Sequence, residues 1–151
     1  MAPRWLVGLV FVGALVVAAE GCGSSNRGAV RGMVTFNGAP LKEGQISFVP
    51  LDVKQGPTAG AVIVDGEYQI DASQGPVAGE YQVQIVAFRK TGKKTWDGMG
   101  DEQAPANQKN YVEEVAAFIP ARYNAVSELR ATIQAGEVNR YDFDLKPEGK
   151  K

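Results

Sequence analysis

The feature that most constrains this chain is a period-two alternation of apolar and polar residues, cut at short intervals by glycine turn signals. Val30, Gly32, Val34 and Phe36 share one face of an extended segment, with Arg31, Met33 and Thr35 on the other. Asn37-Gly38 follows, a pair that tolerates positive φ at both positions and so marks a tight turn. Ile46 and Phe48 alternate with Ser47 and Val49 before Pro50, which ends or edges a strand. Val62 and Val64 lead into Asp65-Gly66, after which Tyr68 and Ile70 face one way and Glu67, Gln69 and Asp71 the other. Tyr81, Val83, Ile85 and Ala87 alternate with Gln82, Gln84 and Val86 in the longest segment. Leu129, Ala131 and Ile133 alternate with Arg130, Thr132 and Gln134, Ala135-Gly136 turns the chain, and Tyr141, Phe143 and Leu145 alternate with Arg140, Asp142 and Asp144. Such segments are half-buried strands of antiparallel sheets, because strands of parallel α/β sheets read as continuous apolar runs. Two sheets packed face to face hide both apolar faces. The reading is an all-β, seven-stranded antiparallel β-sandwich over residues 29–146, with Tyr68 and Tyr81 in its core and a polar tail at 147–151.

Composition narrows the chemistry. Glycine is 18 of 151 residues, in keeping with many turns. Sixteen basic and 17 acidic side chains give a net charge of −1, which does not point to nucleic acid as a partner. With no His, the chain has no Ser-His-Asp or Cys-His catalysis, no His-ligated metal and no His pH switch. One Cys excludes an intrachain disulfide and Cys-rich metal sites. Ser24, Ser25, Ser47, Ser73 and Ser127 lie in tether, strand or turn contexts without a recognisable base. Gly56-Pro57 and Gly75-Pro76 are turn signals rather than phosphate cradles. No enzyme activity and no cofactor is expected, although paired carboxylates alone suffice for glycoside hydrolysis and their spacing cannot be read here.

The N-terminal region is of another kind. Arg4 precedes Trp5–Ala19, fifteen residues without a charge. A spanning helix needs about 20 apolar residues, whereas this length suits the apolar region of a helical signal segment. The single cysteine, Cys22, follows in Ala19-Glu20-Gly21-Cys22-Gly23-Ser24-Ser25. The arrangement resembles a bacterial lipoprotein signal, in which small residues precede a cysteine that becomes the lipidated N-terminus. Gly21 and Ala19 fit that pattern, and Glu20 departs from it. Residues 1–21 are then the signal peptide and 22–28 a flexible tether. The six residues after Cys22 reach at most about 20 Å. The resemblance implies a membrane partner through the lipid on Cys22. Because residue 23 is Gly rather than Asp, it implies export to the outer rather than the inner membrane. The other reading is ordinary secretion with cleavage near Ala18-Ala19 and a free thiol at Cys22.

The body also resembles a known group. Val30–Leu41 through Gly44–Pro50 is similar to the first hairpin of transthyretin-like, carboxypeptidase-regulatory-like domains. Gly66-Glu67-Tyr68-Gln69-Ile70 and Gly79-Glu80-Tyr81-Gln82-Val83 match that group's repeated Gly-x-Tyr strand openings. Ile119-Pro120-Ala121-Arg122-Tyr123-Asn124 and Asn139–Leu145 resemble a variant common among small bacterial lipoproteins. The resemblance implies the Greek-key topology of the prealbumin-like sandwich and an accessory, adhesive or structural role, and no catalytic motif travels with it.

An insertion at about 90–117 interrupts the alternation and reads as a long loop, of a length that is often functional. Its charge is segregated: Arg89, Lys90, Lys93 and Lys94 come first, then Asp97, Asp101 and Glu102, with Trp96 between. Trp96 and Tyr111 can stack on sugar rings, and Lys93 and Lys94 can hold anionic groups of polysaccharide or lipid. The plainer reading is a solvated loop whose Trp folds back onto the sandwich edge. Asp97, Asp101 and Glu102 lack the ordered ligand spacing of calcium loops, so no metal is expected. Tyr111–Phe118 reads as one or two helical turns. Tyr123 is a further candidate ligand contact; alternatively, Ile119 and Tyr123 pin the loop's return to the core while Arg122 pairs with a carboxylate. The functional expectation is a non-catalytic envelope lipoprotein with a structural or binding role. The alternatives are a carbohydrate-binding module that meets envelope polysaccharide through Trp96, Tyr111 and Tyr123, and a self-assembling surface subunit.

Overall fold

The computed structural model describes residues 26–99, 103, 105, 107 and 109–149. The expected signal segment, Cys22 and the start of the tether lie outside these residues, as do Asp101 and Glu102. The described chain is all-β and sandwich-like. Its strands are β1 (Ala29–Phe36), β2 (Ala39–Pro40), β3 (Glu43–Pro50), β4 (Ala59–Val64), β5 (Glu67–Ile70), β6 (Gly79–Val86), β7 (Phe88–Trp96), β8 (Tyr111–Ala117), β9 (Arg130–Ile133), β10 (Val138–Arg140) and β11 (Phe143–Leu145). A 3-10 turn at Ala121–Tyr123 joins β8 to β9.

All seven alternating segments are strands, and four further strands go beyond the expected seven. Three are β2, β7 and β8, and one comes from the last segment, which is split between β10 and β11. Their register on β1 is nevertheless continuous, Arg31 lying opposite Arg140 and Val34 opposite Phe143. The ladder is interrupted because the Asp142 side chain, not a backbone carbonyl, accepts the Met33 amide at 2.8 Å. Gly32 makes room for this: a Cβ there would stand 1.8 Å from the Tyr141 carbonyl oxygen.

The main sheet runs β10-β1-β5-β4-β3-β6-β9. Its neighbours are antiparallel except where the N-terminal strand β1 pairs in parallel with β10 and β11, a departure from the wholly antiparallel expectation. The two hairpin signals act as read. Asn37 and Gly38 take φ of 53° and 80° between β1 and β2, and Asp65 and Gly66 take 49° and 88° between β4 and β5. At the second turn only Val64 and Glu67 are registered across the pair, so β4 and β5 part beyond the turn. The far ends of the path, β9 and β10, are tied by side chains. The Tyr141 hydroxyl donates to the Thr132 carbonyl at 2.7 Å and accepts from its amide at 2.9 Å, while the Asn139 Oδ1 accepts from the Gln134 amide at 2.8 Å.

The inward residues form one core in which Phe48 lies between Tyr68 and Tyr81, at ring-centroid distances of 6.2 and 6.4 Å. Both tyrosines are buried, as expected, and each finds a carbonyl: Tyr68 donates to Tyr141 and Tyr81 to Val77, both at 2.8 Å. In β4 the inward residues are Ala59, Ala61 and Ile63, so Val62 and Val64 face solvent. The chain also joins the fold earlier than expected. Ala78 donates to the Asn26 carbonyl, Gly136 to that of Arg27, and Gly28 to that of Pro76, at 2.8 to 3.0 Å.

The expected loop and helical turns at 90–117 are corrected. β7 and β8 form a two-stranded antiparallel hairpin outside the main sheet, with Trp96 opposite Tyr111 and a register shift between Lys90 and Lys94. Both faces of this arm meet solvent, so no apolar periodicity is required of it. Its middle residues are polar for the same reason.

Candidate functional site

Two places on the surface gather residues able to bind. The first is the β7–β8 arm. Residues directly opposite in an antiparallel pair share a face, which puts Trp96, Lys94, Tyr111 and Glu113 together. Trp96 is half-buried, its indole N–H donating to the Met99 carbonyl at 3.3 Å and the Lys109 ammonium lying 5.0 Å from the ring centroid. Tyr111 is exposed. Lys94 and Lys93 are exposed on β7, Lys93 within the irregular stretch next to Gly92, whose φ is 78°. Lys90 forms an ion pair with Glu113 at 2.9 Å, and this partner raises the Lys90 pKa. Phe88, Val112 and Val115 are exposed on the same arm.

Tyr123 does not belong to this group. It sits in the 3-10 turn and packs against the core, its hydroxyl accepting from the Lys146 amide at 3.1 Å. That hydrogen bond is the main reason its phenol pKa is lowered. Ile119 is buried beside it. Arg122 forms no ion pair with a described carboxylate; it stacks 4.9 Å from the Tyr123 centroid and donates to the carbonyls of Lys146 and Pro147 at 3.0 and 3.1 Å. This corner therefore holds the start of the C-terminal segment.

The second place is a concavity of about 700 Å³ on the outer face of β1, β5 and β4, which sequence reasoning missed. Met33, Val62 and Val64 form its apolar part, and Arg31 and Arg140 stand at one end. The available signal was the alternating pair Val62 and Val64 beside Ile63: three apolar residues in a row cannot all turn inward from one strand.

Among the described residues, no group of three or more Cys, Asp or Glu side chains is placed to hold a metal ion, and no helix is long and apolar enough to cross a membrane. No protein-family model matches the chain, and no curated protein is significantly similar to it.

Proposed function

We propose that this protein is an exported lipoprotein, anchored at the cell envelope through acyl chains on Cys22, whose transthyretin-like sandwich serves a non-catalytic binding or structural role. The observation that carries this reading is the order of the chain: an uncharged apolar segment, then the only cysteine in a Gly/Ser setting, then a strand-built domain to which Asn26 already belongs, its carbonyl accepting from the Ala78 amide. Each buried methylene of an acyl chain contributes about 0.8 kcal/mol, and two or more chains make the attachment effectively permanent. With three residues between Cys22 and Asn26, the domain is held close against the lipid surface. The outer membrane is the assigned location. Replacing Cys22→Ser tests the anchor: the native chain is expected in the membrane fraction and the variant in the soluble exported fraction. Equal distribution of the two would remove the reading.

A second reading is favoured by one pairing, Trp96 opposite Tyr111 on a solvent-facing hairpin. Two aromatic rings on one face, with Lys94 beside them, can stack on sugars and meet the anionic groups of an envelope polysaccharide. In affinity gels containing such a polysaccharide, the native chain should be retarded and Trp96→Ala should migrate freely. Equal migration of both argues against sugar binding by the arm.

A further inference from the structure

We propose that the concavity on the outer face of β1, β5 and β4 is a binding site for a small ligand that carries a carboxylate on a branched apolar body. The proposal is independent of the anchor at Cys22 and of the arm.

Its first support is the register. Arg31 on β1 lies directly opposite Arg140 on β10, so the two guanidinium groups leave the same face of the sheet side by side. Like charges in that position oppose each other and destabilise the pair. Among the described residues only one ion pair offsets them. Arg140 donates its Nε to Asp142 at 3.3 Å, and no described carboxylate forms an ion pair with Arg31. At the arginine end, two guanidinium groups and the Asp142 carboxylate leave one positive charge, which a single carboxylate balances; of the other lining carboxylates, Asp65 is taken up by Lys42 at 2.8 Å and Glu67 stands on β5. The planar donor fork of arginine matches that group in shape.

The second support is the apolar part. Met33 is 36% exposed, Val62 68% and Val64 57%, on a face where polar residues would cost nothing. They line the same concavity as the two arginines. An alkyl group of a few carbons would cover them while its acid reached Arg31 and Arg140. Glu67, opposite Met33 on β5 and two residues before Gln69, the register partner of Arg31, also lines the concavity. It can accept an N–H from the ligand, and it opposes the reversed orientation. The chemistry fits an N-acylated apolar amino acid or the C-terminal residue of a short peptide.

The test is an NMR titration of the full chain with N-acetyl-leucine, alongside its uncharged amide and plain acetate. The acid should give saturable shifts at the Met33, Val62 and Val64 methyl groups. The amide, which lacks the charge, and acetate, which lacks the body, should each bind at least roughly tenfold more weakly, as loss of a charged hydrogen bond predicts. Arg31→Gln should weaken the acid to a similar extent, yet leave the melting temperature unchanged or raised, because it relieves the repulsion with Arg140. Arg140→Gln repeats the test at the other arginine should the first variant fold poorly. Equal response to acid and amide would overturn the proposal, as would shifts away from the concavity, no saturable response, or undiminished binding by both variants.

Discussion

Ser127 is the one buried polar side chain among the described core residues. Its hydroxyl donates to the Val83 carbonyl and accepts from the Leu129 amide, and its own carbonyl receives the Gln82 amide at 2.7 Å and Arg130 at 3.0 Å. It thus ties the entry of β9 to the middle of β6. Ser127→Ala leaves the Val83 carbonyl without that donor and should cost about 1–3 kcal/mol, read as a lowered urea midpoint with unchanged slope. Tyr68 gives a second prediction. Burial, first, and then the neighbouring Asp142 and Tyr141 raise its phenol pKa well above the ordinary value near 10. A group with a raised folded-state pKa contributes stability that is complete below its unfolded value and is lost as pH rises beyond it. Stability should therefore fall above about pH 10, and Tyr68→Phe should flatten that fall while losing roughly 0.5–1.5 kcal/mol at neutral pH with its hydrogen bond. Denaturant unfolding at pH 8, 10 and 11 measures both. The burial of Tyr68 and Tyr81 was legible because each follows a turn glycine by two residues and begins a clean alternation. The role of Ser127 was not: its β6 partners, Val83 and Gln82, lie 44 and 45 residues away in sequence, and no local pattern records such a contact.

At the scale of elements, the alternating segments and both Asx-Gly turns were readable because each has one face in the core and one in solvent. Where that asymmetry fails, so does the pattern. β7 and β8 have no buried face to impose alternation, and the sequence there resembles a loop. β4 shows the opposite fault, Val62, Ile63 and Val64 offering two registers of which packing selects Ile63. The arginine pair of the concavity left no local signal, since Arg31 and Arg140 are 109 residues apart and meet only through the parallel pairing of β1 with β10. A two-stranded hairpin without a packed face is marginal by itself. Amide hydrogens of β7 and β8 should therefore exchange well before those of β3 and β6, which pair over six registered positions in the middle of the sheet. Exchange monitored by mass spectrometry of peptides resolves this. Equal protection would show that something else covers the arm.

Over the whole molecule, the first and last described strands enter one structure. β1 is gripped on one edge by β5 and β2 and on the other by β10 and β11, so the last strands complete the sheet begun by the first. Arg27 adds to this at the very start, donating to the Gly75 carbonyl at 2.6 Å. A domain so closed at its N-terminal strand can be attached through the residues before Asn26 without disturbing its core. That geometry suits a protein whose only cysteine lies four residues earlier. The neutral balance of charge leaves attachment to the proposed acyl chains rather than to electrostatic attraction by the membrane. Intact mass with N-terminal peptide mapping of the protein purified from membranes tests this account most directly. The predicted result is a chain of 130 residues beginning at Cys22 and carrying acyl mass on that residue. A chain that begins near Glu20 or earlier, with an unmodified thiol at Cys22, would contradict it.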